Sequence, residues 1–408
     1  MMNTKHKVVV IGGGAAGIAT AASMLKRRPG LDIAIVEPSD THAYQPGWTM
    51  VGGGIFDVAT TMRPMASVMP KAATWIKQAC ASFQPDNNHV TLADGSTLTY
   101  DVLIVAPGIR LAWEKIGGLE ASLGQNGVTS NYRPDLAPYT WELVQRTKAG
   151  HAIFSQPPMP IKCAGAPQKA MYLACDYWRR AGVLGNIEVE FRNAGAVLFG
   201  VADYVPALME YVGKYGIQLE LGSNLVAVDG PAKQATFTTA EGEETIGFDM
   251  LHVVPPQVAP QFLAESPLAA QSGFTDIDQH TLQHVRYPNV FGLGDGGSTP
   301  NAKTAAAARK QAPVVAVNAL RQLDGKGPTA GYDGYGSCPL TVERGKIVLA
   351  EFAYGGKLAP SFPTWLVDGT RPARLSWMLK ADALPWIYWN GMLKGREWLA
   401  GPGGLIAQ

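Results

Sequence analysis

Cysteine is scarce in this chain. Cys80, Cys163, Cys175 and Cys338 are the only four in 408 residues, far too few for a secreted disulfide scaffold. No two are spaced Cys-x-x-Cys and no histidine lies close to one, so no zinc site is expected and no metal is assigned. An excess of one charge is also missing. The 34 Lys and Arg against 33 Asp and Glu leave a net charge of +1, which offers no electrostatic footing for a nucleic acid. No apolar run reaches the ~18–20 residues needed to cross a bilayer. The polar residues 1–6 lead straight into a strand expected at about Lys7, leaving no room for a signal peptide. The expectation is an intracellular protein without a spanning segment, still able to lie on a membrane. What is abundant is apolar side chain, 47% of residues, enough for a large core and two or three domains.

Val8, Val9, Val10 and Ile11 form an unbroken apolar run, as in a parallel strand covered on both faces. A helix over 18–28 and a strand over 32–37 complete a βαβ unit within about thirty residues. A further buried strand spans 102–106. A second α/β unit opens with a strand at 151–155. It continues through a helix at 167–182, a strand at 187–191, a helix at 204–216 and a strand at 217–221. Residues 224–248 alternate apolar and polar positions around turn signals and read as a β-meander. Buried strands follow at 250–254 and 289–293, then an Ala-rich helix from 304 to about 323. Beyond Gly325 the chain is rich in Gly, Pro and Tyr, with a short strand at 346–352. Its end holds Trp365, Trp377, Trp386, Trp389 and Trp398, half of the ten tryptophans. The expected fold is α/β, with two Rossmann-like dinucleotide-binding domains of the FAD/NAD(P)-linked reductase kind. The first is expected over 1–113 and 276–323, the second over 114–275. Residues 324–408 form a C-terminal, membrane-associating region.

Gly12-x-Gly14-x-x-Gly17 lies between the first strand and the first helix. Gly12 permits the tight turn, Gly14 lets a pyrophosphate approach the backbone, and Gly17 lets the helix pack on the strand, with Ala16 inside the same turn. The helix N-terminus favours the negative charge. Glu37 lies twenty residues beyond Gly17, at the end of the second strand, suited to an adenosine ribose. Two later segments favour FAD over NAD. Tyr100-Asp101-x-Leu103-Ile104-Val105-Ala106-Pro107-Gly108 resembles the strand-and-turn motif of flavoproteins with two dinucleotide-binding domains. Asn289-Val290-Phe291-Gly292-Leu293-Gly294-Asp295 resembles their second FAD motif, in which the Asp bonds a ribitol hydroxyl. The competing reading makes Asp295 a simple helix cap.

The second α/β half lacks a glycine loop. After its first strand the chain reads Gln156-Pro157-Pro158-Met159-Pro160, and proline offers a phosphate no N–H. A nicotinamide site is therefore expected to be lost. In its place stands Cys163, in a Gly/Pro loop just before a helix, with Lys162 adjacent. The helix N-terminus and the Lys162 ammonium are both expected to favour thiolate. Cys338 lies in a second special loop, Tyr335-Gly336-Ser337-Cys338-Pro339-Leu340, and the two cysteines suggest a redox pair beside the flavin. Met171, Cys175 and Trp178 make an apolar helix stripe, so Cys175 reads as core. Cys80, before a strand-like segment, reads as structural.

These segments together resemble the sulfide:quinone oxidoreductases, of the branch that includes the mitochondrial enzymes. The matching pieces run almost end to end: Tyr44-Gln45-Pro46-x-Trp48-Thr49, Lys162-Cys163 through Gln168-Lys169, Met250-Leu251-His252-Val253-x-Pro255-Pro256, Gly294-Asp295, Lys303-Thr304-Ala305-Ala306-Ala307, Tyr332 through Leu340 around Cys338, and Pro385-Trp386-x-Tyr388-Trp389-Asn390. The resemblance implies that sulfide opens a Cys163–Cys338 disulfide or a sulfur-bridged form of it. Cys338 takes the sulfur as a persulfide, Cys163 passes electrons to FAD, FAD reduces ubiquinone or another membrane quinone, and an acceptor removes sulfane sulfur. It also places Gln45, Pro46, Gly108 and Lys303 at the FAD and turns the Pro255–Pro256 loop toward the quinone. Lys303 and His252 fall in matching segments, and each reads equally as structural. Cys80 sits in no matching motif, which fits a two-cysteine branch.

The aromatic stretch Trp386-Ile387-Tyr388-Trp389, with Met392 and Leu393 and the flanking Lys394 and Arg396, is expected to face a membrane surface. This makes the protein monotopic on the cytoplasmic face of the inner membrane. The competing readings of the stretch are packing on the protein's own core and a homo-oligomer interface. Competing functions are a sulfide dehydrogenase with a cytochrome acceptor, an NADH:quinone reductase, and a flavin-containing redox sensor or partner-binding protein that uses the same cysteine pair without turnover.

Overall fold

The computed structural model describes residues 4–405. Its larger sheet is built around Lys5–Ile11, with Ile33–Val36 parallel on one side and Thr97–Val105 parallel on the other. The register pairs Val9 with Ala34 and Leu103, so the apolar run sits mid-sheet, covered on both faces. Thr74–Ile76 extends the first edge. The second edge is shared. An antiparallel hairpin of Cys80–Gln84 and His89–Leu92 pairs with Thr97–Thr99, and Val290–Gly292 pairs in parallel with Leu103–Val105. A strand from late in the chain thus closes the sheet begun at residue 5.

The helix Ala15–Arg27 packs on this sheet beside Ala305–Leu323. Ala16, Ala19 and Ala21 share one core with Ala308, Ala312, Ala316 and Ala319. The second helix starts at Thr304, whose hydroxyl accepts from the Ala307 N–H at 3.0 Å.

The second sheet has five parallel strands, in the order Val128–Thr129, Met250–His252, Gly150–Gln156, Ile187–Asn193 and Gln218–Leu221. Helix Ala166–Arg180 covers it with Val205–Tyr215. The segment 224–248 folds as an antiparallel three-stranded meander. The hairpin Gly336–Glu343 with Lys346–Phe352 inserts Cys338, Leu340, Val342, Val348 and Ala350 into the core of this second sheet. The closing helix, Leu384–Asn390, puts Tyr388 and Trp389 into the core of the first. The C-terminal region is therefore shared between two cores. No helix among the described residues is long and apolar enough to cross a membrane.

Candidate active site

The glycine turn is shaped on two sides. At Gly12, φ is +102° and a Cβ would collide with the Ala106 carbonyl. At Gly17 it would collide with the Gly12 carbonyl. Gly14 is exposed at the N-terminus of the Ala15–Arg27 helix, and a Cβ there would meet nothing within 4 Å. The turn is tight where it must pack and open where an anion would approach, so these residues fit a dinucleotide pyrophosphate. Glu37 accepts from the N–H of Gly13 and of Ser39, both at 2.8 Å. Gly108 is left-handed, with open space at its Cβ position.

Close beside the glycine turn, where a Cβ on Gly294 would meet Ala16, the Gly294 N–H donates to Gln311 Oε1 at 2.7 Å. Lys303 donates to the carbonyls of Asp295 and Gly297, at 2.7 and 2.9 Å. Burial pushes this ammonium down to about 8, against the pull of Asp295. Burial raises the Asp295 carboxyl, opposed by Lys303 and Lys162. Lys303 thus braces the Gly294–Gly297 turn from behind.

The cysteine loop hangs from three anchors. The Cys163 N–H donates to the Lys303 carbonyl at 2.8 Å, the Lys162 N–H to Gln257 Oε1 at 2.8 Å, and the Tyr132 hydroxyl to the Lys162 carbonyl at 3.0 Å. Cys163 takes φ +55°, a conformation side chains seldom adopt outside special sites. Its Sγ lies 3.2 Å from Cys338 Sγ, although 175 residues separate them. The sequence assigns the supporting ammonium to Lys162, and the geometry corrects this. Lys162 Nζ points away and donates to Gln45 Oε1 at 2.6 Å. The cation on Cys163 is Lys169, 3.1 Å from Sγ. A hydrogen bond from Cys338 and the Lys169 charge hold the Cys163 thiol well below its usual range, against burial. The helix N-terminus serves the other sulfur: the Gly165 backbone favours the Cys338 thiolate, while Cys163 and burial push that thiol up. In the reduced pair, negative charge is therefore favoured on Cys163 over Cys338.

A second cation was not legible as part of the site. Lys380, buried in the turn Leu379–Ala383, donates to the Pro46 carbonyl at 2.9 Å. Burial and then Lys169 press its ammonium down to about 7, and the two thiols oppose this. Gln45 and Pro46 thus meet a lysine from the cysteine loop and a lysine from the C-terminal region. Pro255 is buried, and the Pro256 carbonyl accepts from the Ala112 N–H at 2.8 Å. His252 is a neutral core residue. It accepts from the Asn131 N–H at 3.0 Å and stacks on Phe154, and burial drives it down to about 4. Cys175 is fully buried. Cys80 opens its strand rather than preceding it, and burial pushes its thiol up to about 12.

The C-terminal aromatic stretch is not the outward face expected. Tyr388 and Trp389 are each 4% exposed, and Met392 and Leu393 are buried with them. A helix only seven residues long turns successive side chains to different sides, and here most of the aromatic stripe points inward. Trp386 stays outside, stacked on Trp398 at 5.5 Å. The exposed apolar surface lies mainly upstream, with Trp365 at 84%, Met378 at 58%, and Leu366 and Leu375 near half. Exposed Arg371 and Arg374 accompany it.

Residues 6–137 match the pyridine nucleotide-disulphide oxidoreductase family. The chain is 42% identical over 393 residues to the mitochondrial sulfide:quinone oxidoreductase of Dictyostelium discoideum, covering 96% of this chain and 86% of that one. It is 40% identical over 394 residues to that of Mus musculus, covering 96% and 87%. The fold is also that of the sulfide:quinone oxidoreductase from Aquifex aeolicus, with a TM-score of 0.77 at 19% identity over 94% of this chain and 91% of that one.

Proposed function

The chain belongs to the sulfide:quinone oxidoreductases, and from that membership we propose that it oxidises sulfide through a disulfide between Cys163 and Cys338. One observation carries this reading: two sulfurs from distant segments lie 3.2 Å apart, with a buried ammonium on one of them.

Sulfide attacks the Cys338 sulfur and the S–S bond breaks. Cys338 becomes a persulfide and Cys163 leaves as thiolate. Attack is fastest toward a sulfur whose partner leaves as a stabilised thiolate, and Lys169 supplies that stabilisation. A nucleophilic acceptor then takes the outer sulfur as sulfane sulfur, leaving Cys338 as thiolate. The two thiolates re-form the disulfide and give up two electrons. FAD, when bound, supplies the acceptor for that pair and delivers it to a membrane quinone. The glycine turn, with Gly12, Gly14, Ala16 and Gly17, would hold its pyrophosphate, Glu37 its adenosine ribose, and Gly294 and Asp295 its ribityl chain. Gln45, Pro46, Gly108 and Lys303 complete the surroundings. Pro255 and Pro256, lacking N–H donors, are assigned to the wall of the quinone site.

A quinone held in lipid requires the protein to touch the bilayer. We assign that contact to Trp365, Leu366, Leu375, Met378 and Trp386, with Arg371 and Arg374 toward anionic headgroups. The protein then sits monotopically on the cytoplasmic face of the inner membrane.

The test is anaerobic visible spectroscopy of the purified protein. Sulfide is expected to bleach the flavin and a short-chain quinone to restore it, with both responses abolished in Cys163→Ser and Cys338→Ser. A flavin that sulfide leaves oxidised would shift the reading toward a redox sensor.

A further inference from the structure

His42 is buried, and both its ring nitrogens are engaged. Nδ1 lies 3.1 Å from the Gly13 carbonyl oxygen and Nε2 lies 2.7 Å from the Tyr388 hydroxyl. A carbonyl can only accept, so Nδ1 carries the proton. Burial drives the imidazole down to about 4, against the Gly13 bond, so the ring is neutral at working pH. Nε2 then has only a lone pair to offer, and Tyr388 must donate to it. The Tyr388 hydroxyl also lies 3.4 Å from the Ala43 carbonyl, but the 2.7 Å contact with Nε2 is much the shorter and takes the proton.

Gly13 is the middle of the glycine turn, and its N–H is already held by Glu37 Oε2 at 2.8 Å. The carbonyl bond to His42 fixes the next peptide plane. In a trans peptide the C=O and N–H point opposite ways. A Gly13 carbonyl drawn inward to His42 therefore turns the Gly14 N–H outward, at the helix N-terminus where Gly14 is exposed. This is the N–H an anion at that helix end would meet.

Tyr388 comes from the closing helix, 346 residues from His42. Its ring packs on Tyr44 at 4.8 Å and on Trp389 at 5.0 Å. Trp389 also meets the His42 edge at 5.8 Å, and its face lies under the Arg63 guanidinium at 4.2 Å. Neither Tyr44 nor Tyr388 itself touches the sulfur pair. We infer that Tyr388 and His42 form a latch by which the C-terminal helix sets the peptide orientation of the pyrophosphate-binding turn. Tyr388 is thus a positioning residue for the cofactor. The inference rests on the flavin reading above.

The experiment uses the purified holoenzyme. Flavin affinity is read from the fluorescence of released flavin on serial dilution, and stability from the melting temperature. Tyr388→Phe keeps the ring and removes the donor. It is expected to weaken flavin binding about three- to tenfold, the range of one ordinary hydrogen bond. Leu393→Ala loosens the buried turn that directly follows this helix without touching the latch. It is expected to lower the melting temperature while leaving flavin affinity unchanged. His42→Gln keeps an amide donor for Gly13 and should retain more flavin than His42→Phe. The double variant His42→Phe/Tyr388→Phe should bind flavin no more weakly than His42→Phe alone, because the two act through one carbonyl. Wild-type affinity in Tyr388→Phe, equal flavin loss in Leu393→Ala, or multiplying losses in the double variant would each overturn the latch. A wild-type chain that holds no flavin would overturn the flavin reading itself.

Discussion

Lys162 and Lys169 both belong to the Cys163 segment, and only one reaches the sulfur. Lys162 directly precedes Cys163 in a bridge alongside Lys303, and the chain turns left-handed at Cys163, so the two neighbouring side chains leave in different directions. Its ammonium accordingly goes to Gln45. Lys169 lies on the first turns of the following helix, whose side chains lean back toward its N-terminus and so toward the loop. Adjacency in sequence suggests the wrong lysine, and helix geometry supplies the right one. Lys169→Gln removes a charge-assisted partner worth about 1.5–3 kcal/mol, so the Cys163 pKa should rise by about one to two units. Thiolate at Cys163 is favoured above its depressed pKa and lost as pH falls through it. In the variant that boundary moves up. Sulfide-dependent flavin bleaching at neutral pH should then slow about tenfold to a hundredfold and recover as pH increases. A stopped-flow pH profile of wild type and variant reads this directly.

At the scale of elements, strands and long helices were legible because periodicity and turn residues report them locally. The apolar run at Val8–Ile11, the meander over 224–248 and the Ala305–Leu323 helix all fall within a few residues of their expected places. The C-terminal stretch was not, because an aromatic cluster on a short helix serves equally for a bilayer or for a core, and only the fold decides. Here the Ala15–Arg27 helix decides it. Arg27 and Ser23 bind Glu397, and Gly395 lies against the Ala22 backbone, which seats Trp389, Met392 and Leu393 on the sheet's own core. The two classes of aromatic should therefore part company on substitution. Trp389→Ala should cost about 3–5 kcal/mol of stability, as buried Trp truncations do, seen as a lower melting temperature. Trp365→Ser with Leu366→Ser should leave melting nearly unchanged. It should cut binding to anionic phospholipid vesicles by about tenfold or more, given about 1.5–3 kcal/mol per large side chain fully buried. Turnover with a long-chain quinone should fall with it, while turnover with a short-chain quinone persists.

Across the whole molecule, two α/β halves repeat one strand–loop–helix plan and use the helix N-terminus differently. In the first half the turn is short, and Gly14 leaves the Ala15–Arg27 N-terminus open to an anion. In the second half, a longer loop carrying prolines and Cys163 joins Gly150–Gln156 to Ala166–Arg180. There the N-terminal space is already filled: a Cβ on Gly165 would collide with Leu340 and lie 2.7 Å from Cys338 Sγ. The hairpin that brings Cys338 packs directly against this helix N-terminus. The sequence reveals the missing glycines and the extra cysteine, but the strand that fills the gap arrives from residues 336–343, so only the folded chain reveals that the space is gone. We propose that the insertion that brings Cys338 to Cys163 also closes this helix N-terminus to a nicotinamide nucleotide. NADH should therefore leave the flavin spectrum unchanged under anaerobic titration at concentrations where sulfide bleaches it completely. The variant Cys338→Ser should not restore a response to NADH, because Leu340 and the hairpin backbone still fill the space. Bleaching by NADH in either protein would show that the second half keeps an open nucleotide site, and the assignment of its helix N-terminus to sulfur would have to be withdrawn.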